Sequence, residues 1–413
     1  EPVQYTVQQF NVKRDLKKAY AAVYDLKGNK LVQVADVELP NAQLPIKGMG
    51  DWAIVSTSEP YSLSSMWEGR TRSDYYKVSL ATGERSLIAK ADSAGYRLSP
   101  AGKYVGTYNA TDSCWYTINL ADNRKIQLTT PQTFPAWDED NDVPNYPSPH
   151  GMAGWTKDDA ALLIYDRYDI WSFDPEGKKA PVKLTKNGRD NQVTYRRIVL
   201  DREQMDIDVK EPMLLTGFNE VDKSTGIFRA RLVAPSNPTL LAGGNYNYDN
   251  VMKAKKADKY IYSRENFEVF PEVWATDANF KKTLQLTQGG RQQDAFIWGT
   301  TELISWISLD GRKLEGVIYK PANFDPNKKY PMIVNFYERN SETLNKYRMP
   351  EPHRSTIDYR MYLSNGYIVF NPDNRYRDGY PGESCYNCVM PGIQEVLSRG
   401  YVDEKRIGAQ GHS

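Results

Sequence analysis

The chain has 413 residues, with 53 lysines and arginines against 52 aspartates and glutamates, for a formal net charge of +1. So even a balance gives no bulk attraction to nucleic acid or to an anionic membrane surface. No stretch approaches the roughly 18 consecutive apolar residues of a membrane span, and a chain this long is expected to hold two or three domains.

Aromatic residues make up 12% of the chain, among them 29 tyrosines and 9 tryptophans, which suits a β-rich fold. The chain opens on Glu1 without an initiator Met or a signal peptide, so a processed or trimmed start is expected. The compartment stays open, with periplasm or secretion set slightly ahead of the cytoplasm.

Residues 1–290 carry a loose repeat. Each unit has two strands around a turn, then an aromatic-rich strand and a closing strand of apolar residues and Thr. Asp74–Leu80 with Ser86–Ile88 forms one unit. Tyr96–Tyr104, Trp115–Leu120 and Ile126–Thr129 form the next. Ala153–Asp159, Asp169–Phe173 and Val182–Thr185 follow. Met213–Gly217 with Phe228–Val233 reads as a weaker unit, and Ile261–Ser263, Glu272–Ala275 and Leu284–Thr287 as a last one. Closing strands recur about every 40 to 56 residues, near the period of four-stranded propeller blades. A generic β-sandwich would not repeat one strand quartet this often. Helical periodicity is almost absent here, so an all-β propeller of about five to six visible blades, with an incomplete N-terminus, is expected.

Phe134–Pro149 interrupts the repeat with the acidic run Trp137-Asp138-Glu139-Asp140-Asn141-Asp142. Its spacing is not that of an EF-hand loop, and it reads as a solvated loop. Residues 291–302 form a polar linker, and residues 303–413 change character. Leu303–Ser308 and Leu314–Tyr319 are short strands joined by the Asp310-Gly311 turn, a hairpin signal. Met332–Phe336 and Tyr367–Phe370 are apolar runs suited to buried strands. Ile393, Val396 and Leu397 have helical spacing, and Gly400 follows Arg399 as the residue that ends the helix. Asp403 is placed to cap a turn, and Ile407–Ala409 reads as a further buried strand.

That strand leads into Gly411-His412-Ser413. A nucleophile elbow, G-x-S-x-G, turns sharply from strand to helix, and its glycines leave room for the close approach. Hairpin, strand, strand, helix, strand and elbow describe the start of an α/β-hydrolase sheet, where function sits at the carboxyl ends of the strands. Ser413 is therefore the candidate nucleophile. A serine hydroxyl needs a base, itself oriented by a carboxylate, and in this fold both follow the serine in the chain. His150 and His353 precede it and read as polar loop residues, and His412 is its direct neighbour. The triad Asp and His are thus expected beyond Ser413.

The ordered pieces Ser308-Leu309-Asp310-Gly311, Leu314-Glu315-Gly316, Tyr319-Lys320-Pro321, Phe324-Asp325-Pro326, Lys329-Tyr330-Pro331, Gly400-Tyr401-Val402-Asp403, Lys405-Arg406-Ile407 and Gly411-His412-Ser413 carry a family resemblance. From Trp306 to Ser413 the chain resembles the start of the catalytic domain of prolyl oligopeptidase-type serine peptidases, the group holding prolyl oligopeptidase, dipeptidyl peptidase IV and acylaminoacyl peptidase. Two loops depart from it. Glu338-Arg339-Asn340 stands where the family has Gly-Gly-Pro or Ala-Gly-Pro, and Asn374–Gly379 stands where it has Gly-Arg-Gly.

The resemblance implies a propeller of seven or eight blades ahead of an α/β-hydrolase domain, and cleavage of short peptides through an acyl-enzyme, with the propeller limiting access. It also implies that Tyr337, at the end of the Met332–Phe336 strand, donates its hydroxyl to the oxyanion. The Glu pair that holds the substrate amino terminus in dipeptidyl peptidases has no match here, and Glu139 is not promoted to that role. An esterase or acyl-peptide hydrolase on the same scaffold, or a non-catalytic binding module with a degenerate hydrolase domain, stays open. No cofactor is expected. Cys385 and Cys388 read as unlinked thiols, because no second pair supports a zinc site among three cysteines and three histidines. A homo-oligomer is compatible with all of this.

Overall fold

The structure, a computed structural model, describes residues 2–46, 50–296, 298–351 and 356–411, with side chains from residue 5 onward. Between residues 41 and 285 the chain forms five successive sheets, each built mainly from four antiparallel strands in sequence order. The first holds Asn41–Gln43, Trp52–Thr57, Ser73–Ser79 and Arg85–Asp92. The second holds Tyr96–Leu98, Tyr104–Asn109, Cys114–Asn119 and Lys125–Gln127. Met152–Thr156, Leu162–Tyr165, Ile170–Phe173 and Val182–Lys183 make the third, to which Asp206–Ile207 adds a fifth, parallel strand. The fourth runs from Val193 to Ala242 and the fifth from Asn247 to Gln285.

The alternation of side chains along a strand explains how these sheets associate. In Leu162–Tyr165 every residue is buried. Leu163 and Tyr165 enter one apolar cluster with Tyr195 and Leu215 of the fourth sheet. Leu162 and Ile164 enter another with Tyr108 and Trp115 of the second. The second sheet sends Val105 and Ile118 the other way, to Ile54 of the first. The fourth sends Leu214 and Ile227 toward Tyr248 and Tyr262 of the fifth. The second, third and fourth sheets are therefore each packed face to face between their sequence neighbours. A preceding hairpin, Ala22–Asp25 with Lys30–Gln33, lies against the outer face of the first sheet through Val23 and Val34.

The sequence reading names no helix at the N-terminus. Pro2–Asp15 is a helix, and Phe10 on it is 89% exposed. It carries no apolar stripe, so nothing in its pattern separates it from a loop.

The remaining sheet is mixed. Its spatial order is Thr300–Ile307, Lys313–Lys320, Ile368–Pro372, Tyr330–Phe336, Val402–Gly411. The first two strands form the expected hairpin, with Gly311 at φ +84° in its turn. The last three run parallel, so their carboxyl ends lie on one edge. The helix Pro381–Ser398 covers one face through Cys388, Val389 and Val396, packed on Trp306, Met332 and Phe370. Tyr359–Ser364 covers the other through Tyr359 and Leu363, together with Phe267 from the loop between Lys259–Glu265 and Glu272–Asp277 of the fifth repeat sheet.

Pro391 lies inside the longer helix and supplies no N–H to the carbonyl of Asn387. The Leu309 N–H donates to that carbonyl instead, at 3.0 Å. Gly400 closes the helix with φ +83°, its N–H donating to the Leu397 carbonyl at 3.0 Å.

The expected buried strand Ile407–Ala409 forms, but it is not buried. Ile407 and Gly408 are half-buried and Ala409 is exposed. Val402–Gly411 is the edge strand among the described residues and pairs on one side only. Its register skips from Val402 to Ile407 opposite Tyr330 and Met332. The skipped residues make a local turn in which the Asp403 carboxylate accepts the Lys405 N–H at 3.0 Å and the Arg406 side chain at 2.7 Å.

Gly392 is where this packing is tightest. A Cβ there would come within 2.8 Å of the Trp306 indole and 3.1 Å of Phe370. Alanine gains about 1 kcal/mol over glycine inside a helix, whereas overfilling a packed core costs about 1–3 kcal/mol. Gly392→Ala is accordingly expected to lower the denaturation midpoint. A raised midpoint would mean that the helix and Trp306 are not in close contact.

Candidate functional site

Three parallel strands end together, at Phe336, Pro372 and Gly411. Tyr337 and Asp373, which follow the first two, therefore share one edge of the sheet, and in the sequence His412-Ser413 follows the third. Ser413 and His412 lie outside the described residues, as does His353. The described pairing runs up to Gly411: Phe336 pairs with Gly411 and Asn335 with Gln410. Tyr337 thus follows the residue paired with Gly411, and Ser413 follows Gly411 by two.

Tyr337 is 54% exposed, and its hydroxyl makes no hydrogen bond among the described residues. Its backbone is held. The Tyr376 hydroxyl donates to the Tyr337 carbonyl at 2.6 Å, and Asn374 Nδ2 approaches it at 3.5 Å. Just beyond, the buried Asp373 carboxylate accepts from the Asn340 N–H at 2.6 Å, the Ser341 N–H at 2.8 Å and the Ser341 hydroxyl at 2.6 Å. Burial pushes the Asp373 pKa above the ordinary carboxylate value, against the opposing pull of those donors. Both loops that depart from the family pattern are therefore ordered by hydrogen bonds to each other, in place of the glycines the family has there.

The acidic run expected to be a solvated loop is instead a contact. Phe134 and Ala136 are buried at its base, and Trp137 pairs with Pro149 in an isolated bridge. Asp140 Oδ2 meets Arg167 Nη2 at 2.8 Å, Arg339 Nη1 at 3.0 Å and Arg375 Nη2 at 3.2 Å. Burial alone would raise the Asp140 pKa, but the Arg375 hydrogen bond and the three guanidinium charges outweigh it and hold it below the usual value. Glu139 pairs instead with Arg189 at 3.3 Å. The sequence offered one signal for this cluster, since Arg339 and Arg375 stand in the two departing loops.

Two cavities adjoin the cluster, of about 420 Å³ and about 380 Å³. Arg167, Glu220, Arg339 and Glu342 line both. His150 lines the smaller one. It lies in a loop, as expected, but is half-buried. Its N–H donates to the Ala136 carbonyl at 2.9 Å, and its Nε2 is buried with no partner among the described residues. Burial first, and then the Arg196 charge, push its pKa down to about 4, so the ring is neutral at pH 7.

Cys114, Cys385 and Cys388 are free thiols, and the latter two lie one turn apart on the helix Pro381–Ser398. Burial raises the pKa of both, which suits packing rather than reactivity. Among the described residues no helix is long and apolar enough to cross a membrane.

No family model matches the chain. A protein of Penicillium rubens named dipeptidyl-aminopeptidase B is 31% identical over 129 residues, covering 27% of this chain and 13% of that protein. A namesake in Paracoccidioides lutzii is 29% identical over 157 residues, covering 34% and 16%. These matches thus span only a minor part of either relative's length. Among solved structures, a dipeptidyl aminopeptidase IV of Bacteroides ovatus superposes with a TM-score of 0.59 at 13% identity, over 95% of this chain and 65% of that one. A structure from a study of two prolyl endopeptidases superposes at 0.55 and 12% identity, over 94% and 56%. At such identities the likeness is one of fold.

The titration of His150 gives a checkable consequence. Its folded pKa lies below the ordinary value of about 6.5, so the unfolded chain binds the proton first and stability falls as pH drops from 6.5 toward 4. Stability of the native protein relative to His150→Phe should decline across that window, by up to roughly 3 kcal/mol at about 1.4 kcal/mol per pKa unit. Urea titrations at pH 8, 6 and 4 measure this, and a difference independent of pH would contradict it.

Proposed function

We propose that the chain is a member of the prolyl oligopeptidase family of peptidases and hydrolyses peptide bonds of short peptides through an acyl-enzyme on Ser413. One observation carries the proposal. The pairing of Phe336 with Gly411 brings the end of the Tyr330–Phe336 strand, with the Tyr337 hydroxyl unbonded among the described residues, beside the segment that leads to Ser413.

The chemistry follows from that juxtaposition. The Ser413 oxygen attacks the peptide carbonyl carbon as its proton passes to a histidine base. The carbonyl oxygen takes the negative charge, and the Tyr337 hydroxyl donates to it. Collapse expels the amine, which takes the proton, and water then cleaves the ester by the same steps in turn. In this fold order the base and its carboxylate follow the nucleophile. His150, the one histidine among the described residues, is neutral in its cavity and precedes the nucleophile in the chain, so it does not stand in for the base.

In this proposal residues 1–290 are blades of a β-propeller, 291–302 are the linker, and 303–413 open an α/β-hydrolase domain. The face-to-face packing of the second, third and fourth repeat sheets between their sequence neighbours supports the propeller. The parallel strand ends support the hydrolase. The propeller would confine access, so short peptides are cut and folded proteins spared.

A fluorophosphonate probe should label the full-length protein on Ser413, and Ser413→Ala should abolish both labelling and peptide cleavage. Equal labelling of the variant sinks the proposal. Tyr337→Phe keeps the ring and removes only the hydroxyl. It should lower kcat by about 10²–10³, roughly 3–4 kcal/mol, with little change in KM, because the donor acts when charge develops. A kcat within about threefold of wild type, under 1 kcal/mol, would return Tyr337 to a packing role.

A further inference from the structure

We propose that Asp140 is a positioning residue for catalysis: its single carboxylate, reaching across from the repeat sheets, fixes the two loops that flank Tyr337. The inference rests on the peptidase reading above. It assigns a function to a residue that touches no reacting atom.

Asp140 sits at the tip of a braced finger. The stem is closed by the Trp137–Pro149 bridge and by the Asp138 N–H donating to the Ser148 carbonyl at 2.8 Å. The tip is held by the Asp140 N–H donating to Asp138 Oδ1 at 3.0 Å. A carboxylate mounted this way has few conformers to lose when it binds, so its geometry is passed on to its partners.

Those partners come from three places in the chain. Arg167 belongs to the third repeat sheet's turn and is itself fixed by Glu220, to which Nε and Nη2 donate at 3.0 and 3.1 Å. Arg339 lies 199 residues from Asp140 and only two from Tyr337. Arg375 donates to both the Asp140 carboxylate and, at 3.4 Å, its carbonyl, and it precedes Tyr376, whose hydroxyl holds the Tyr337 carbonyl. Asp142 adds a second tie by accepting the Tyr376 N–H at 3.0 Å. Both loops that border Tyr337 are therefore moored to the finger.

Among the described residues neither Arg339 nor Arg375 has any other carboxylate partner. Without the Asp140 charge, three part-buried guanidinium groups would lose the one carboxylate they share. Removing one partner of such a group leaves uncompensated charge, and the loops move to relieve it. A shift of about 1 Å in a group that must meet a developing oxyanion costs up to about 10²-fold in rate.

Asp140→Asn in the full-length protein keeps the shape and removes the charge. For a short peptide amide, kcat should fall about 10- to 100-fold, with KM changed much less. The double variant with Tyr337→Phe should be no slower than the worse single variant within about threefold, because both losses pass through one hydroxyl. Backbone amides at 338–341 and 374–377 should exchange hydrogen faster, a readout that needs no activity. Unchanged kcat with unchanged exchange overturns the inference. So do rate losses that multiply in the double variant, or a lowered melting temperature at normal kcat. If instead the wild type neither cleaves peptides nor reacts at Ser413, the peptidase reading falls, and the exchange result still decides whether Asp140 moors the loops.

Discussion

The parallel pairing of Tyr330–Phe336 with Ile407–Gly411 is what the candidate site depends on. It is ordinary backbone hydrogen bonding, but its register decides which side chains become neighbours. One residue of slip would turn every side chain of the edge strand to the opposite face. The register is held from both sides. Met332 and Val334 enter the cluster beneath the long helix, while Ile333 enters the one beneath Tyr359–Ser364. The skipped turn at Asp403–Arg406 absorbs the residues that would otherwise shift the pairing.

A second constraint concerns how the mixed sheet meets the repeat sheets. It is met by two chemically different contacts. On one side, charge dominates: Asp140 gathers three arginines, and Lys223 pairs with Glu315 at 2.6 Å. On the other, the Arg360 guanidinium lies 3.7 Å from the centroid of Phe267 and 4.2 Å from that of Trp298, and it donates to the Phe267 carbonyl. Arg360 has no carboxylate partner among the described residues, and burial lowers its pKa to about 10. Stacking on aromatic faces is how guanidinium tolerates such a position. The aromatic clamp lines neither of the two cavities at the Asp140 cluster, whereas the ionic cluster lines both.

Much of the fold was legible because its signals are local. The Asp310-Gly311 turn, the apolar runs at Met332–Phe336 and Tyr367–Phe370, and the glycine ending the helix each act within a few residues, and each appears where expected. The recurrence of closing strands was legible for the same reason, and the repeats became separate sheets. What escaped is non-local. Asp140 looks like any member of a charge run, and its meaning resides in arginines 199 and 235 residues away. His150 looks like a loop residue until the Ala136 carbonyl and Arg196 surround it. The N-terminal helix has no apolar stripe to announce it, and Ile407–Ala409 is half-exposed because its strand pairs on one side only among the described residues.

The central claim is spatial: the Tyr337 hydroxyl and the Ser413 oxygen flank the same carbonyl. A crystal structure of the full-length protein carrying a phosphonate on Ser413 tests it most directly, because the phosphonyl oxygen occupies the place of the oxyanion. The account predicts Tyr337 Oη at about 2.7–3.1 Å from that oxygen. A phosphonyl oxygen held by backbone N–H groups alone, with Tyr337 Oη turned to solvent, would contradict it.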